Sequence, residues 1–278
     1  MRLVSFATAG RDTWGAVTDR GLVEAPRALR EKAPTLALAL DGLYREGPWD
    51  GPVLDPAAVT ARPVVPAPEK ILCVGVNYVA HRLETGRAES AYPTLFTRFA
   101  NTLTPHGAPL VRPRASTQLD FEGEMVVVMG RRGRHIARED ALAHVGGYTC
   151  FNDATLRDWQ RHTTQFTPGK NFVATAGIGP WVTTADELPD PAQSEVSLTV
   201  NGAEMQRSTT DLLIFDVPAL IAYISTFTEL APGDLIATGT PGGVGWKRDP
   251  AVFLHAGDVV EVTVRGVGTL RNVVADEG

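Results

Sequence analysis

The 278-residue sequence predicts a β-rich α+β fold with one small and one large domain. Short β-branched segments separated by turns recur after residue 70, and segments with helical spacing are few. The stretch Pro63–Pro68 contains three prolines, which neither a helix nor a central strand accommodates. We therefore predict a small N-terminal α+β domain, residues 1–66, and a sandwich or barrel-like roll, residues 67–278.

The individual elements follow from local composition. Near the N-terminus, the apolar runs Leu3–Ala7 and Trp14–Thr18 predict a small hairpin-like sheet, and the Ala/Leu-rich segment Pro34–Tyr44 predicts a helix. In the large domain, β-branched composition predicts strands at Ile71–Val76, Met125–Met129, Val145–Cys150, Val196–Val200, Asp234–Ala237 and Val259–Val264. Helices are expected at Tyr78–Glu84, Ala154–Arg161 and Val217–Phe227.

Composition excludes several functional classes. The chain has 26 basic and 32 acidic residues, a net charge of −6, so it has no basic surplus for nucleic acid. No segment approaches the roughly 20 apolar residues that cross a bilayer, and the N-terminus lacks the apolar core of a secretion signal. The two cysteines, Cys73 and Cys150, form no CxxC pair and suit a reducing compartment. We expect a cytoplasmic protein that binds neither nucleic acid nor membrane.

The acidic segment Asp120–Glu124, which leads into an apolar strand, indicates a metal site. If strand geometry includes this segment, Asp120, Glu122 and Glu124 share one face. Burying like charges is costly, and a hard cation such as Mg²⁺ or Mn²⁺ would remove that cost. Asp153, at the end of another predicted strand, is a candidate third ligand. The alternative is a solvated edge strand whose charges prevent aggregation.

The predicted helix that follows Asn77 carries a candidate general base. Asn77 is a suitable N-cap, and Gly86 is a suitable end. His81 and Glu84 lie three residues apart, so they share one helix face. A carboxylate beside an imidazole fixes its tautomer and raises its basicity, as a general base requires. The alternative is an ordinary surface pair of small energetic value.

Two loops offer further candidates. Lys170 lies in the loop Thr167–Phe172, where its charge suits a carboxylate or a developing oxyanion, although a solvated surface lysine is the usual alternative. The glycine-rich turn Thr238–Gly245 lacks both the GK[ST] ending of a phosphate loop and the spacing of a dinucleotide fingerprint. It predicts a backbone turn that lines a small-molecule site or, alternatively, a tight hairpin connection.

The order of these motifs along the chain resembles the fumarylacetoacetate hydrolase family. The matching motifs are N-Y-x-x-H-x-x-E at Asn77–Glu84, D-[FY]-E-G-E at Asp120–Glu124, Asn152-Asp153 followed by Arg157–Gln160, Gly169-Lys170, and T-G-T-P-x-G-V-G at Thr238–Gly245. The resemblance extends from Lys70 to Asp276. Residues 1–66 resemble the small N-terminal domain that many members carry.

The resemblance implies a fold, an assembly and a set of functional residues. The fold is a mixed β-sandwich roll that forms a homodimer and binds Mg²⁺ or Mn²⁺. The implied metal ligands are Glu122, Glu124 and Asp153. The implied catalytic residues are Lys170 and the dyad of His81 and Glu84, on a segment that orders as a lid over substrate. The implied substrate contacts are Tyr78, Arg98, Gln160 and Thr240.

The sequence departs from the family pattern at two places that concern the substrate. Arg98 stands where the family often has the lysine of Phe-x-Lys-Pro, which keeps the charge but gives it a planar, forked geometry. Asn171-Phe172-Val173 replaces Ser-Phe-Asp and lacks its carboxylate.

From these motifs we expect an enzyme that hydrolyses a carbon–carbon bond of a small 2,4-diketo acid. The dyad of His81 and Glu84 would activate water, and the metal would stabilise the departing pyruvate enolate. Lys170 and Arg98 would orient the substrate carboxylate or neutralise developing charge. Alternatives on the same scaffold are decarboxylation of a 2-oxo diacid such as oxaloacetate and isomerisation of an unsaturated 2-oxo acid. A non-catalytic metal-binding paralogue is the alternative outside enzymology.

Overall fold

The computed structural model describes residues 1–278 and contains eighteen strands and six α-helices. The strands are β1 (Arg2–Thr8), β2 (Arg11–Thr18), β3 (Gly21–Glu24), β4 (Val59–Ala61), β5 (Ile71–Gly75), β6 (Thr94–Thr97), β7 (Leu103–Pro105), β8 (Leu110–Arg112), β9 (Leu119–Asp120), β10 (Gly123–Met129), β11 (Val145–Asn152), β12 (Thr155–Leu156), β13 (Ala176–Thr184), β14 (Glu195–Val200), β15 (Ala203–Thr209), β16 (Leu235–Ala237), β17 (Val259–Val264) and β18 (Gly268–Asp276). The helices are α1 (Arg27–Lys32), α2 (Leu36–Ala39), α3 (Val79–Thr85), α4 (Arg157–Gln160), α5 (Thr167–Lys170) and α6 (Val217–Phe227). The six strands predicted in the large domain are all present, with ends shifted by at most two residues.

Most strands belong to two sheets. The larger sheet has eleven strands in the order β3-β2-β1-β13-β11-β10-β16-β5-β6, with β4 beside β1 and β7 beside β13. Its pairs β16·β5 and β13·β7 are parallel and the other pairs are antiparallel, so the sheet is mixed. The smaller sheet has five strands in the order β15-β14-β17-β18-β8. The short strands β9 and β12 pair only with each other.

The two sheets pack face to face, as the alternating side chains of β10 show. Met125 and Val127 belong to a buried cluster that includes Leu198 of the smaller sheet. Val126 and Val128 belong to a second buried cluster, which lies on the opposite face of β10. A strand that is buried on both faces has a continuous apolar sequence, and this explains the run that follows Glu124. The predicted β-rich α+β fold with a mixed sandwich is confirmed.

The N-terminal segment extends the larger sheet. β1 pairs with β13, with Arg2 opposite Thr183. The second buried cluster also joins Leu36 and Tyr44 of this segment to strands of the large sheet. The sheet and this cluster both cross the boundary between residues 66 and 67, and the division into two domains stays a prediction.

Two of the four predicted helices are much shorter than expected. Instead of one helix over Pro34–Tyr44, α2 covers only Leu36–Ala39, because Gly42 adopts a left-handed conformation with φ +93° and starts a separate 3₁₀ turn. Instead of a helix over Ala154–Arg161, β12 precedes the four-residue α4.

The long helix α6 matches its prediction. The Asp216 side chain accepts a hydrogen bond from the N–H of Ala219 at 2.9 Å and thereby caps the helix. Leu220 and Ile224 of this helix lie in the core between the sheets. None of the helices combines the length and the apolar character needed to span a bilayer.

Candidate active site

The pairing of β10 with β11 brings two carboxylates together. Gly123 lies opposite Asn152, so the antiparallel register places Glu122 beside Asp153. The N–H of Asp153 donates to the carbonyl of Glu122 at 2.8 Å. The N–H of Glu122 donates to the Asn152 side-chain oxygen at 3.0 Å. The two segments that the sequence singled out therefore meet at the strand ends.

Three carboxylates form a buried cluster at this point. The candidate ligand atoms of Glu122, Glu124 and Asp153 lie within 4.8 Å of one another. These are the three residues that the sequence analysis names as metal ligands. Asp120 lies outside the cluster, and the condition under which it was expected to share one face, a continuous strand, is not met. Strand geometry is interrupted after Asp120, and its carboxylate bonds instead to Arg157 Nε at 2.7 Å.

Lys170 inserts its ammonium group among the clustered carboxylates. Nζ donates to Glu122 Oε2 at 2.7 Å and to Asp153 Oδ2 at 2.7 Å. A third bond joins Nζ to the Asp153 carbonyl oxygen at 2.6 Å. The preceding Gly169 allows this placement, because a Cβ atom there would lie 2.5 Å from the backbone nitrogen of Gln160. The lysine is buried, so the alternative of a solvated surface lysine is wrong.

Arg98 lies behind the cluster and does not line the cavity described below. Its guanidinium donates to the Asp153 carboxylate and to the backbone carbonyls of Ala154 and Lys170. The structure therefore does not place Arg98 where the sequence analysis expected it, in contact with substrate. Its three bonds to the protein hold Asp153 and the Lys170 backbone in position.

Arg157 connects the cluster to Asp120. Besides Asp120, it forms an ion pair with Glu122, with 2.6 Å between Nη2 and Oε1. Its Nη1 donates to the side-chain oxygen of Gln160 at 2.8 Å. Arg157 belongs to one of the sequence motifs, but no role was predicted for it.

The buried charges of the site do not balance. The buried carboxylates are Asp120, Glu122, Glu124 and Asp153, and the buried cations are Arg98, Arg157 and Lys170. The cluster therefore contains four acidic groups against three basic ones, which leaves a surplus of negative charge in a low-dielectric environment.

The surplus charge falls on Glu124. This carboxylate has no cationic partner and accepts a hydrogen bond from the N–H of Gly239 at 2.8 Å. Burial, followed by the charges of Asp153 and Glu122, raises the pKa of Glu124 well above its usual value. Burial also acts to raise the pKa of Glu122, but Lys170 and Arg157 outweigh it and lower that pKa to about 2. Clustered carboxylate oxygens with excess negative charge fit a hard divalent cation.

His81 and Glu84 form the dyad that their spacing on α3 predicts. His81 Nδ1 lies 3.0 Å from Glu84 Oε2. The other oxygen, Oε1, accepts a hydrogen bond from the N–H of Gly243 at 2.9 Å. His81 is buried, so the pair differs from an ordinary surface pair. With the carboxylate accepting from Nδ1–H, the imidazole keeps its lone pair on Nε2.

Only the C-terminal end of α3 matches the sequence prediction. Gly86 ends the helix with φ +68°, as expected. Asn77 does not cap the other end, where Tyr78 occupies the N-cap position without a side-chain bond. The Asn77 amide donates instead to the carbonyls of Thr238 and Phe215, at 2.8 and 2.9 Å. It therefore ties the start of α3 to the glycine-rich turn.

Backbone N–H groups of the glycine-rich turn hold three carboxylates of the site. Gly239 and Gly243 donate to Glu124 and Glu84, as described above, and both have positive φ, +100° and +102°. The N–H of Gly245 donates to Asp120 Oδ1 at 2.9 Å. The turn thus fixes the protein's own acidic groups, which is more than a hairpin connection does.

These groups surround a cavity of about 400 Å³. Predicted site residues that line it are His81, Glu122, Glu124, Gln160, Lys170 and Thr240. Tyr78 does not line it; its hydroxyl group is buried without a hydrogen-bond partner. Glu84 and Asp153 do not line it, but they bond to His81 Nδ1 and Lys170 Nζ, which belong to lining residues. The size suits a small-molecule ligand.

The cavity wall also contains residues that the sequence analysis did not single out. Besides Arg157 they include two exposed arginines and two aromatic side chains, Arg87, Arg161, Phe166 and Trp246. Arg161 directly follows the Arg157–Gln160 motif and Trp246 directly follows the glycine-rich turn. Their position next to these motifs was the only signal in the sequence that Arg161 and Trp246 belong to the site.

Sequence comparison identifies the family. The family model for the fumarylacetoacetate (FAA) hydrolase C-terminal domain matches residues 70–275. The chain belongs to the fumarylacetoacetate hydrolase family. The match begins close to Lys70, where the motif resemblance begins, and includes every predicted site residue.

Relatives within the family carry different activities in their names. A protein of Xenopus laevis named oxaloacetate tautomerase fahd2, mitochondrial, is 41% identical over 209 residues, which cover 74% of this chain and 66% of the relative. A 2-hydroxyhepta-2,4-diene-1,7-dioate isomerase from Mycobacterium marinum is 30% identical, with a TM-score of 0.81 over 100% of this chain and 99% of that one. Fumarylpyruvate hydrolase from Pseudomonas aeruginosa, in complex with Mn²⁺ and pyruvate, is 34% identical, with a TM-score of 0.69 over 75% of this chain and 90% of that one.

Proposed function

We propose that this chain is a metal-dependent enzyme that interconverts the keto and enol forms of a small 2-oxo diacid, with oxaloacetate as the candidate substrate. The observation that carries the proposal is an imidazole, His81, whose Nδ1 lies 3.0 Å from the Glu84 carboxylate, in the wall of the same cavity as a buried carboxylate cluster. Enolisation needs a base at the carbon beside the oxo group and stabilisation of the resulting negative charge. The frog relative's name supports oxaloacetate and favours isomerisation over the hydrolysis that the sequence analysis put first.

The residues of the chain divide the proton transfer between them. Nε2 of His81 removes a proton from carbon 3, while Glu84 holds Nδ1–H and stabilises the imidazolium that forms. The oxygen on carbon 2 gains a proton from solvent as the enol forms, and the His81 imidazolium returns its proton to solvent. The three N–H groups of Lys170 are bonded within the cluster, so Lys170 contributes positive charge beside the developing oxyanion. Gln160 offers its side-chain N–H₂ group to the substrate, because its oxygen is already bonded to Arg157.

Glu122, Glu124 and Asp153 would hold Mg²⁺ or Mn²⁺. The ion would supply Lewis-acid stabilisation of an enolate. The homodimer remains an expectation from the resemblance. The cytoplasmic location also stays a prediction, and the frog relative's name places that protein in mitochondria.

The test starts from the enol form of oxaloacetate, diluted from an aprotic solvent into buffer. The decay of its ultraviolet absorbance is followed with Mg²⁺ or Mn²⁺ and with chelator. Metal-dependent acceleration over the spontaneous rate, without pyruvate formation at the same rate, supports the proposal. Pyruvate released in step with enol decay would indicate a decarboxylase instead. No acceleration with metal bound would reject both.

A second candidate is hydrolysis of an acylpyruvate, because a His–Glu dyad fixed by a backbone N–H also suits activation of water. The hydrolase among the structural relatives supports this alternative. Loss of absorbance of fumarylpyruvate or acetylpyruvate with release of pyruvate would establish it. Tight metal binding without turnover of any 2-oxo acid would identify a non-catalytic member.

A further inference from the structure

Two arginines in the wall of the cavity have no acidic partner. Arg87 and Arg161 both line the cavity, and neither forms an ion pair. The buried cations of the site are in the opposite situation, because each is bonded to at least one carboxylate of the cluster. Any additional anionic group that enters the cavity therefore finds its unpaired positive charge at these two exposed side chains.

Both arginines lie over aromatic rings. The guanidinium carbon of Arg161 is 5.0 Å from the ring centroid of Trp246, and its Nε donates to the Arg157 carbonyl at 3.1 Å. The guanidinium carbon of Arg87 is 5.0 Å from the ring centroid of Phe166. Stacking restricts a guanidinium without consuming its terminal N–H groups, which remain available to a carboxylate.

The rings beneath the arginines are themselves fixed by the site. Phe166 packs edge-on against Phe96, with 5.5 Å between ring centroids. It also approaches Gly75 so closely that a Cβ atom there would lie 3.1 Å from the ring. The backbone N–H of Trp246 donates to Asp120 Oδ2 at 3.0 Å. The arginine positions are therefore set relative to the carboxylate cluster.

We propose that Arg87 and Arg161 bind the distal carboxylate of the substrate and make the enzyme selective for dicarboxylic 2-oxo acids. The inference rests on the proposed function, in which the 2-oxo acid end of the substrate lies at the carboxylate cluster. It adds the residues that recognise the carboxylate at the other end. With a divalent ion bound, the cavity floor carries one surplus positive charge, which one substrate carboxylate neutralises. The second carboxylate of a dianion therefore needs its own compensating charge at the rim. Arg87 lies two residues after α3, the helix that carries His81, and both line the cavity.

The first test compares oxaloacetate with its 4-methyl ester, in which an uncharged methyl ester replaces the distal carboxylate. The quantity measured is kcat/KM for the diacid divided by kcat/KM for the ester. Each of the variants Arg161→Gln and Arg87→Gln should lower this ratio about tenfold, the effect of losing one charge-assisted hydrogen bond. Arg161→Lys should lose less than Arg161→Gln, because it keeps the charge but not the planar fork. Arg134→Gln is the matched control: Arg134 is exposed, forms no ion pair and lies outside the cavity.

The second test needs no turnover and separates this inference from the proposed function. Calorimetry on the Mn²⁺-loaded protein compares 2-oxoglutarate with 2-oxovalerate, which carries a methyl group in place of the distal carboxylate. A preference for 2-oxoglutarate that both glutamine variants abolish supports the arginine pair even if no 2-oxo acid is turned over. Equal effects on the two ligands, or none, would overturn the inference even if oxaloacetate is turned over rapidly.

Discussion

Replacing Glu84 by glutamine tests whether the carboxylate sets the tautomer of His81. In the native site, Glu84 accepts two hydrogen bonds, from His81 Nδ1–H at 3.0 Å and from the Gly243 N–H at 2.9 Å. A glutamine offers only one accepting oxygen. If that oxygen serves Gly243, the amide N–H₂ group faces Nδ1 and forces the imidazole proton onto Nε2. The nitrogen that remains for the substrate then has no lone pair.

The expected loss of activity follows from the cost of the second orientation of the amide in Glu84→Gln. Turning the amide around restores the correct tautomer but sets an N–H₂ group against the Gly243 N–H. The Glu84 side chain is only 23% exposed, so this unmade hydrogen bond costs about 1–3 kcal/mol. The correct tautomer is then populated about fivefold to 150-fold less. We expect kcat to fall by about this factor while KM changes little, because the change affects proton transfer more than binding.

The assay is the rate of enol decay for the native protein, Glu84→Gln and Glu84→Ala, each saturated with metal. Alanine leaves Nδ1 free to keep its proton, so Glu84→Ala should retain more activity than Glu84→Gln. Glu89→Gln, on the exposed segment after α3, is the charge-matched control. Equal or higher activity in Glu84→Gln than in Glu84→Ala would refute the tautomer argument. Weakened metal binding in Glu84→Gln would attribute the loss to another cause.

Three further predictions concern the buried centre. Glu124→Gln should weaken Mg²⁺ or Mn²⁺ binding at least about tenfold in calorimetry. It should also raise the Tm of the metal-free protein by about 2–4 °C, because it removes the unpaired charge, and a lower Tm would contradict this. The raised pKa of Glu124 favours its protonated form in the folded protein, so the stability of the metal-free protein should fall as pH rises above the unfolded-state pKa of this group. Over the same rise in pH, metal binding should strengthen, and binding should release a proton. Thermal melts with and without metal at pH 6 and 8 check this, and Glu124→Gln should abolish the difference. Gly169→Ala should destabilise the protein by about 1–3 kcal/mol in denaturant unfolding, because its Cβ would meet the Gln160 backbone at 2.5 Å; native stability would refute the contact.

Strands were predictable where one apolar pattern extends over the whole element. β10 and β17 have such patterns, and their positions were predicted from composition alone. β18 was missed because Arg271 and Asn272 interrupt its apolar residues, although Asn272 is buried and donates to the carbonyls of Pro105 and Ala108. Partners of this kind come from distant segments, so the sequence around Asn272 does not reveal them.

At the site, the residue types were predictable but several of their contacts were not. Glu122, Glu124 and Asp153 were named from the sequence, but only the register of β10 with β11 brings them together. Asp120 looked equivalent to Glu122 by alternation, and both pair with Arg157. The strand is interrupted after Asp120, whose carboxylate accepts from the Gly245 and Trp246 N–H groups and stays outside the cluster. Alternating residues share one face only in a continuous strand, and tertiary packing overrides strand geometry at this point.

We propose that the division of the cavity into a buried floor and an exposed rim allows members of one family to carry different activities in their names. On the floor, every cation is bonded to a carboxylate and every carboxylate is held by a cation or a backbone N–H, so substitutions there disturb several partners at once. At the rim, Arg87 and Arg161 each rest on one ring and can be replaced at small structural cost. Under our proposal, enolate chemistry belongs to the floor, while the rim selects which 2-oxo acid reaches it. Changes at the rim should alter substrate preference before they alter stability.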